Sequence, residues 1–455
     1  MKTQAFHHSI SCYALYPRAV CTGKETAFTL RGRGMEYALT PGASYLLRVI
    51  PHEENNSSVL LTYSCSDKYD GISARADDDG ILHFTYLFER EQTYTLRLHA
   101  AEGDGWKQLI DLRVYAAEPD LWERTPMRGN THCHACPSVD GTEDPAMVAA
   151  MYRKAGFDYL AITDHHLIDG SLIAIDALKD LPTELALYKG EEVHVPDAYI
   201  HAVNVGADFG GKGLNTYFNE NRDVCNAEVA ALAETLPDDL PFGVERMDLA
   251  WRCWIAKMIH DRGGIAIAAH PFWIWEAHNT RNAMLRYLAE HQIFDAMEVL
   301  GGQEPGSMES NLQIAFWNDM RADGIYMPIV GCDDAHTRHM TWNSLDNCFN
   351  MAWTVIFAKE PSFDGFAESI RGGYSAAVDN YDGTTPNVVG TYRLVRYTVF
   401  LLEQYFPVHD ELCFTEGQLL WDACQGDDTA HAMLADAAAR VKTFESAFFG
   451  REENN

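Results

Sequence analysis

The sequence lacks several features that would assign the chain to a common class of protein. It has no apolar run long enough to span a bilayer, and residues 1–20 lack the basic start and apolar core of a secretory signal peptide. Basic residues are scarce, since 35 lysines and arginines face 66 acidic residues and the formal net charge is −31. This charge repels nucleic acids and anionic membrane surfaces, so we expect neither as a partner.

The cysteines show no disulfide framework. There are 11 of them, an odd number, scattered without regular spacing, which predicts a reducing, cytoplasmic location. One CxxC, Cys133 to Cys136, lacks a second pair at the spacing of a zinc ribbon, so we interpret it as two free thiols.

The chain of 455 residues is long enough for more than one domain. Residues 1–122 contain short, partly alternating segments such as SYLLRVI, SVLLTYS and TYTLRLHA, which predict an N-terminal β-sandwich-like domain. Residues 123–383 alternate between helix-like and strand-like segments, which predicts an α/β domain with parallel strands. Residues 384–455 carry apolar residues at three- and four-residue spacing, which predicts a C-terminal helical extension.

One helix and the strand after it are especially clear. Asp144 is a good N-cap residue, and Pro145 suits the first helical position. Apolar side chains then recur at helical spacing as far as Ala155, and Gly156 ends the helix. The continuously apolar run YLAIT, residues 159–163, predicts a buried strand.

Three predicted strands end in histidine or aspartate. The strand YLAIT precedes His165, IAIAA precedes His270, and MPIVG precedes Asp334 and His336. Active sites of parallel α/β folds lie at the carboxyl ends of the strands. We therefore expect these side chains to meet.

Further metal-binding residues lie in NTHCHACPSVDG. His132 and His134 point to the same side of an extended segment, because side chains alternate along it. Asp140 follows in a turn next to a glycine. Buried carboxylates without partners are costly, and divalent ions bound among imidazoles and carboxylates remove that cost. Nitrogen and oxygen donors suit Zn, Mn or Fe.

The stretch KGEEVHVPDAYIHAVNVG predicts two strands joined by a turn, with His201 on the second. Glu191 and Glu192 compete for one inward position on the first strand, because neighbouring side chains point to opposite faces.

These segments resemble the motifs of a known superfamily. NTHCHACPSVDG, AGFDYLAITDHH, KGEEV with YIHAVNVG, AIAAHPF and VGCDDAHT are similar, in this order, to motifs of the polymerase and histidinol phosphatase (PHP) superfamily of metal-dependent hydrolases. The resemblance covers about residues 129–379, and DAMEVLGG with Glu298 fits it. It implies a distorted (β/α)7 barrel with a centre of two or three divalent ions (Zn, Mn or Fe) at its C-terminal mouth.

The resemblance also implies how the ions are shared. One ion is expected on His132, His134, Glu192 and Asp334, a second on Glu192, His201 and His270, and a third on Asp140, His165 and His336. Two departures stand out: the interval from His134 to Asp140 is one residue longer than usual, and Asp333 stands where the family commonly has serine. The first makes Asp140 the weakest assignment, and the second affects hydrogen bonds around the ligands.

We expect a metal-dependent hydrolase of a small, anionic phosphate ester, in which a hydroxide bridging the metal ions attacks phosphorus. Candidates for acid or phosphate-contact roles are His166, His278, Arg338 and His339, with Arg222 as a weaker one.

Two alternatives stay open. The same centre can hydrolyse an amide, ester or carbamate, because a Lewis acid also polarises a carbonyl, and few Arg or Lys residues occur near the motifs. The chain can also be a non-catalytic metal-binding module that uses the N-terminal domain as an interaction surface. The complete ligand set speaks against the module.

Overall fold

The computed structural model describes residues 10–53, 69, 71–196, 200–274, 277–301, 308–336, 349, 351–380 and 385–451. The chain divides into two compact units. The first comprises Met1–Arg124, Arg396–Leu412 and Ala439–Asn455, and the second comprises Thr125–Val395 and Cys413–Ala438. The C-terminal helices are therefore shared between the units, and the predicted domain limits at 122 and 383 stay a prediction. In the described ranges, no helix is long and apolar enough to cross a membrane.

The first unit contains two sheets, a short helix and parts of the C-terminal helices. Its strands are β1 Tyr13–Tyr16, β2 Ala19–Cys21, β3 Glu25–Gly32, β4 Ser44–Pro51, β5 Gly71–Arg75, β6 Ile81–Leu87, β7 Gln92–Glu102 and β8 Gly105–Ala117, and helix α1 is Pro119–Trp122. The orders are β1-β3-β6 and β2-β8-β7-β4-β5. The predicted segment SVLLTYS lies outside the described residues.

Alternation explains how these strands form a core. In β3, Phe28 and Leu30 are buried while Thr29 and Arg31 between and after them are exposed. Phe28 pairs across the ladder with Phe84, and the two rings stack with centroids 5.0 Å apart. Buried side chains from both sheets form one apolar cluster, so the two sheets share a core.

The second unit contains two larger sheets. Its strands are β9 Thr125–Asn130, β10 Tyr159–Ala161, β11 Ala186–Tyr188, β12 Gly190–Val193, β13 Ala202–Val205, β14 Ile265–Ala268, β15 Ala296–Leu300, β16 Ile329–Gly331, β17 Ala352–Ala358, β18 Ser375–Asp379 and β19 Asn387–Val389. The orders are β11-β10-β9-β17-β18-β19 and β12-β13-β14-β15-β16. Apolar side chains of both sheets meet in one buried cluster, as in a curled half-barrel.

Helices connect most of these strands. They are α2 Pro145–Lys154, α3 Asp169–Leu178, α4 Leu214–Glu220, α5 Arg222–Thr235, α6 Arg246–His260, α7 Asn282–Glu290, α8 Met308–Ala322 and α9 Phe363–Arg371, followed by α10 Tyr392–Gln404, α11 Phe406–Cys424 and α12 Asp428–Phe449. The fold is thus mixed α/β, as the sequence predicts. Helices α4, α5 and α6 occupy most of the stretch that lies between the motifs with His201 and His270.

The predicted parallel strands make up only part of the two sheets. Strands β9, β10 and β11 run parallel, as do β14, β15 and β16, but β13 is antiparallel to both β12 and β14. Strand β17 is antiparallel to β9 and β18. The chain between β12 and β13 is too short for the crossover that parallel neighbours need, so these two strands form a hairpin.

The helix predicted after Asp144 is confirmed. The Asp144 carboxylate accepts hydrogen bonds from the backbone N–H groups of Ala146 and Met147, and Pro145 is the first helical residue. Gly156 has a φ of +89° at the C-terminal end, in the left-handed region that favours glycine. This helix leads directly into β10 and so brings His165 to the carboxyl end of the sheet.

The two sheets of the second unit meet beyond their strand ends. Cys133 forms an isolated parallel bridge with Ala335, and His165 forms one with Glu192. The backbone N–H of Asp334 donates to the carbonyl of His132, 3.0 Å away. These bridges bring the segments that carry the candidate metal ligands side by side.

Candidate metal centre

Glu192 lies at the centre of the candidate site. It is fully buried, whereas Glu191 points away and accepts hydrogen bonds from the backbone N–H groups of Leu214 and Asn215 at the start of α4. The structure thus separates the two carboxylates that competed in the sequence. Glu192 faces the histidines, and Glu191 caps a helix.

The two carboxylate oxygens of Glu192 face different histidines. Its Oε1 lies 2.8 Å from His201 Nδ1 and 3.3 Å from His270 Nε2. Its Oε2 lies 3.5 Å from His132 Nε2 and 3.8 Å from His134 Nε2. A carboxylate with donors on both oxygens is placed to bridge two ions.

Asp334 completes the group on the Oε2 side. Its Oδ1 lies 2.9 Å from His134 Nε2 and 3.2 Å from His132 Nε2. Asp334 has a φ of +49°, in the left-handed region that non-glycine residues seldom occupy. Backbone strain of this kind concentrates at functional sites, where the surroundings hold the residue in place.

Asp140 joins a further group. Its Oδ2 lies 3.1 Å from His165 Nε2 and 3.5 Å from His336 Nε2, and its Oδ1 accepts a hydrogen bond from Ser138 Oγ. Gly141 makes this tight turn possible, because a Cβ at that position would lie 2.0 Å from the carbonyl oxygen of Ala135. The longer interval after His134 therefore still brings Asp140 to the other candidate ligands.

These contacts form overlapping groups whose donor atoms lie within 4.8 Å of one another. Glu192 recurs in three of them. The groups are His132, His134 and Glu192; His132, His270 and Asp334; Glu192, His201 and His270; His134, Asp140, His165 and His336; and His165, Glu192 and His194.

Several polar atoms at the centre fit a bound cation. His132 Nε2 and Glu192 Oε2 are buried and make no aligned hydrogen bond within the described part of the chain. Leaving such an atom unsatisfied costs about 1–3 kcal/mol. Divalent ions would satisfy these lone pairs, and the nitrogen and oxygen donors suit Zn, Mn or Fe.

The electrostatics favour the charge states that metal ligation needs at the two central carboxylates and at two of the histidines, but not at His165. Burial opposes ionisation of Asp334 and Glu192, yet the surrounding histidines hold the pKa of both carboxylates well below the ordinary range. Burial lowers the pKa of His134 to about 3 and that of His194 to about 4, so these imidazoles are neutral at pH 7. Although burial lowers the pKa of His165, Glu192 and Asp140 raise it to about 10. A metal therefore displaces a proton from His165 when it binds.

Glu298 orients two of the histidines. Its Oε1 accepts a hydrogen bond from His132 Nδ1 at 2.7 Å, and its Oε2 accepts one from the backbone N–H of His270, also at 2.7 Å. The bond to Nδ1 leaves His132 Nε2 directed at Glu192 and Asp334. Carboxylates commonly orient metal-ligating histidines in this way.

Asp333 takes part in a different hydrogen-bond cluster. Its Oδ1 accepts from the hydroxyl of Tyr152 at 2.7 Å and from the amide of Asn130. The side chain next to Asp334 is thereby anchored to α2 and to the end of β9.

The other candidates lie in different places. His166 is exposed beside the groups, with its ring 4.6 Å from that of His194, while His278 stacks on Phe272 at 4.8 Å. Arg222 lies over the ring of Phe218, 4.9 Å from its centroid. The predicted residues Arg338 and His339 lie outside the described residues.

The sequence interpretation missed His194 and Asn215. His194 follows Glu192 by two positions, and residues two apart in an extended segment share a face, so this signal was present. Asn215 carried no such signal, because its contacts with His194 depend on how α4 packs against the site.

Comparisons with known proteins identify structural neighbours. No family model and no curated protein sequence matches the chain. A two-domain protein of Bacteroides vulgatus, containing a predicted PHP-like metal-dependent phosphoesterase, is 16% identical with a TM-score of 0.37. The match covers 56% of this chain and 65% of that protein, less than two thirds of its length. A protein that contains a predicted PHP-like domain is thus among the structural neighbours.

Two further structures are similar over a smaller share of the chain. A predicted metal-dependent phosphoesterase of Bifidobacterium adolescentis is 19% identical with a TM-score of 0.33, covering 48% of this chain and 91% of that one. An amidohydrolase of Chromobacterium violaceum with bound sulfate is 18% identical with a TM-score of 0.30, covering 46% and 87%. Matches this loose do not indicate which reaction the chain catalyses.

Proposed function

We propose that the chain is a metal-dependent hydrolase that cleaves a small, anionic phosphate ester. The observation that carries this proposal is the set of donor groups that share Glu192, with buried nitrogen and oxygen atoms that make no aligned hydrogen bond. When bound there, divalent ions would lower the pKa of a coordinated water and stabilise negative charge on the substrate oxygens. The proposed ligands are His132, His134, Asp140, His165, Glu192, His201, His270, Asp334 and His336.

The exposure of these side chains indicates where a substrate enters. His132 and His134 are fully buried, while Asp140 is 45% exposed and His336 is 13% exposed. Solvent therefore reaches the centre from the side of Asp140 and His336. A substrate that arrives there meets the third donor group first, and the shared carboxylate of Glu192 lies behind it.

His166 is the described residue best placed to donate a proton to the leaving group. The Oδ1 of Asn215 accepts from the backbone N–H of His194, so its Nδ2 is the atom that lies 3.0 Å from His166 Nδ1. Because Nδ2 can only donate, His166 Nδ1 accepts, and the ring proton of the neutral imidazole resides on Nε2. Asn215 thus selects the tautomer that presents an N–H at Nε2.

A carbonyl substrate is the second candidate, for a specific reason. Every ion pair that Asp140, Glu192 and Asp334 make with described residues is with a histidine. Phosphate binding usually recruits Arg or Lys. An amide, ester or carbamate needs no such cation, and the same ions would polarise its carbonyl oxygen.

Three finer assignments belong to the same proposal. We infer that the sheets of the second unit form a distorted (β/α)7 barrel and that those of the first form a β-sandwich. We further propose a cytoplasmic location, supported by the free cysteines of the described ranges, which include both members of the CxxC, Cys133 and Cys136.

The test is a panel of aryl phosphates and aryl carboxylic esters, assayed with Mn and with Zn. We expect turnover of the phosphates, abolished in His270→Ala without loss of the fold as judged by circular dichroism. Turnover of the esters alone would select the carbonyl reaction. Full activity in His270→Ala would contradict the proposed site.

A further inference from the structure

His194 occupies a position that the PHP resemblance leaves without a role. Its side chain is 6% exposed, and its Nε2 lies 3.3 Å from Glu192 Oε2 and 3.1 Å from His165 Nδ1. His165 Nδ1 in turn lies 2.6 Å from the same Glu192 oxygen. Three donor atoms on three separate side chains therefore surround one point on the Oε2 side of Glu192.

The spacing of these atoms suits a shared cation. Donors that bind one ion at about 2.0–2.2 Å are separated from each other by about 3.0–3.5 Å. The distances of 3.3 and 3.1 Å from His194 Nε2 fall in that interval. The remaining pair, His165 and Glu192, needs to separate by only several tenths of an ångström.

The backbone holds His194 firmly in this position. The side-chain amide of Asn215 makes two hydrogen bonds to the backbone of His194. Its Oδ1 accepts from the His194 N–H and its Nδ2 donates to the His194 carbonyl, each at 2.9 Å. The imidazole also packs on that of His201, with centroids 4.0 Å apart. A ring that is already held in one orientation loses little conformational entropy when it binds an ion.

We propose that His194 is an additional metal ligand that binds, together with Glu192 and His165 Nδ1, one of the divalent ions of this centre. A neutral imidazole has one free lone pair, so His165 then binds this ion in place of the one beside Asp140 and His336. The inference rests on the proposed function only in that the centre must bind metal. Another imidazole makes the donor set richer in nitrogen. Such a set favours Zn or Fe over Mg or Ca, which prefer oxygen donors.

The test compares metal binding in His194→Ala and His194→Asn with that of the wild type. The matched control is His291→Ala, because His291 is an exposed histidine of the same unit that lies outside every donor group. Each protein is stripped with a chelator, reloaded with Zn and desalted. Ions per chain are then counted by mass spectrometry, and affinity is measured by competition with a coloured chelator. Visible spectra of the Co-loaded proteins report the ligand set directly.

We expect both His194 variants to lose about one ion per chain, or to bind that ion at least about tenfold more weakly. Even residues that only hydrogen-bond to a metal ligand change metal affinity by this factor when they are substituted. Their Co spectra should change, whereas those of His291→Ala should not. Wild-type metal content, affinity and spectra in a folded His194 variant would overturn this inference and leave the proposed function intact. A wild-type protein that binds no metal would overturn both.

Discussion

Single residues decide how strongly this centre can bind metal, and Glu298 is the clearest case. It holds the ring of His132 and the backbone of His270 through hydrogen bonds. Its role is positioning, because the carboxylate acts through the two histidines. A substitution of Glu298 should therefore change the affinity of the centre for metal.

Glu298→Gln should weaken metal binding about 10- to 100-fold, because the amide loses the charge-assisted bond to His132 Nδ1. Chelator competition on the purified variant measures the effect. Glu290→Gln is the control, since Glu290 is exposed at the end of α7. Equal affinity in the two variants would refute the positioning role.

Glu191 provides a pH-dependent test at the same scale. Burial raises its pKa from 4.5 to about 7, so the folded protein keeps this proton at pH values where the unfolded chain has released it. The stability that Glu191 contributes is full below pH 4.5 and is lost as the pH rises to about 7, about 3 kcal/mol in all.

Glutamine does not titrate, so Glu191→Gln should gain about 3 kcal/mol of unfolding free energy relative to wild type between pH 4.5 and 8. Urea denaturation of the metal-free proteins at several pH values tests this. Glu234→Gln, at an exposed glutamate of α5, is the matched control. A constant difference for Glu191→Gln would contradict the argument.

The choice between Glu191 and Glu192 shows a limit of prediction from the sequence. Alternation predicted that only one of Glu191 and Glu192 faces the site, but it could not choose between them. The choice depends on the N–H groups at the start of α4, which come from a segment with no periodic link to the strand. His194 was visible by the same alternation and was nevertheless missed.

At the scale of elements, an ion pair joins α2 and α11 in the second unit. Arg153 is fully buried, and its Nη2 donates to Glu416 Oε2 at 2.7 Å while its Nη1 donates to Asp158. Glu416 Oε1 also accepts from the hydroxyl of Thr183. Breaking a buried pair from one side leaves an uncompensated charge, which is far costlier than losing a surface pair.

Glu416→Gln should therefore lower the unfolding free energy by about 3–5 kcal/mol. The control on the same helix is Glu411→Gln, an exposed position that should change it by less than about 0.5 kcal/mol. Denaturant unfolding followed by fluorescence measures both. Similar small effects would show that Arg153 is satisfied by Asp158 and by the carbonyl of Phe157.

Element boundaries were predictable where local chemistry determines them. The cap at Asp144 and the glycine at Gly156 delimit α2 within the sequence itself. Strand direction was less predictable, since the antiparallel β17 depends on how distant segments pair. The hairpin of β12 and β13 was the exception, because its short connection already excludes a parallel pair.

For the whole molecule, the net charge of −31 and the buried cluster of carboxylates both favour the binding of cations by the folded protein. Cations that bind only the folded state raise its stability by mass action, by about 4 kcal/mol per site at a thousandfold excess over Kd. Chelation should thus lower the melting temperature, and Zn or Mn should restore it. An unchanged melting temperature would contradict metal binding by the native state.

The most direct measurement is anomalous diffraction from crystals of the metal-loaded protein, recorded at the Zn and Mn absorption edges. The account predicts more than one strong peak, each about 2.0–2.2 Å from a Glu192 oxygen or from an imidazole nitrogen such as His132 Nε2. Peaks elsewhere, or none in this pocket, would contradict the claim that these side chains gather to bind metal.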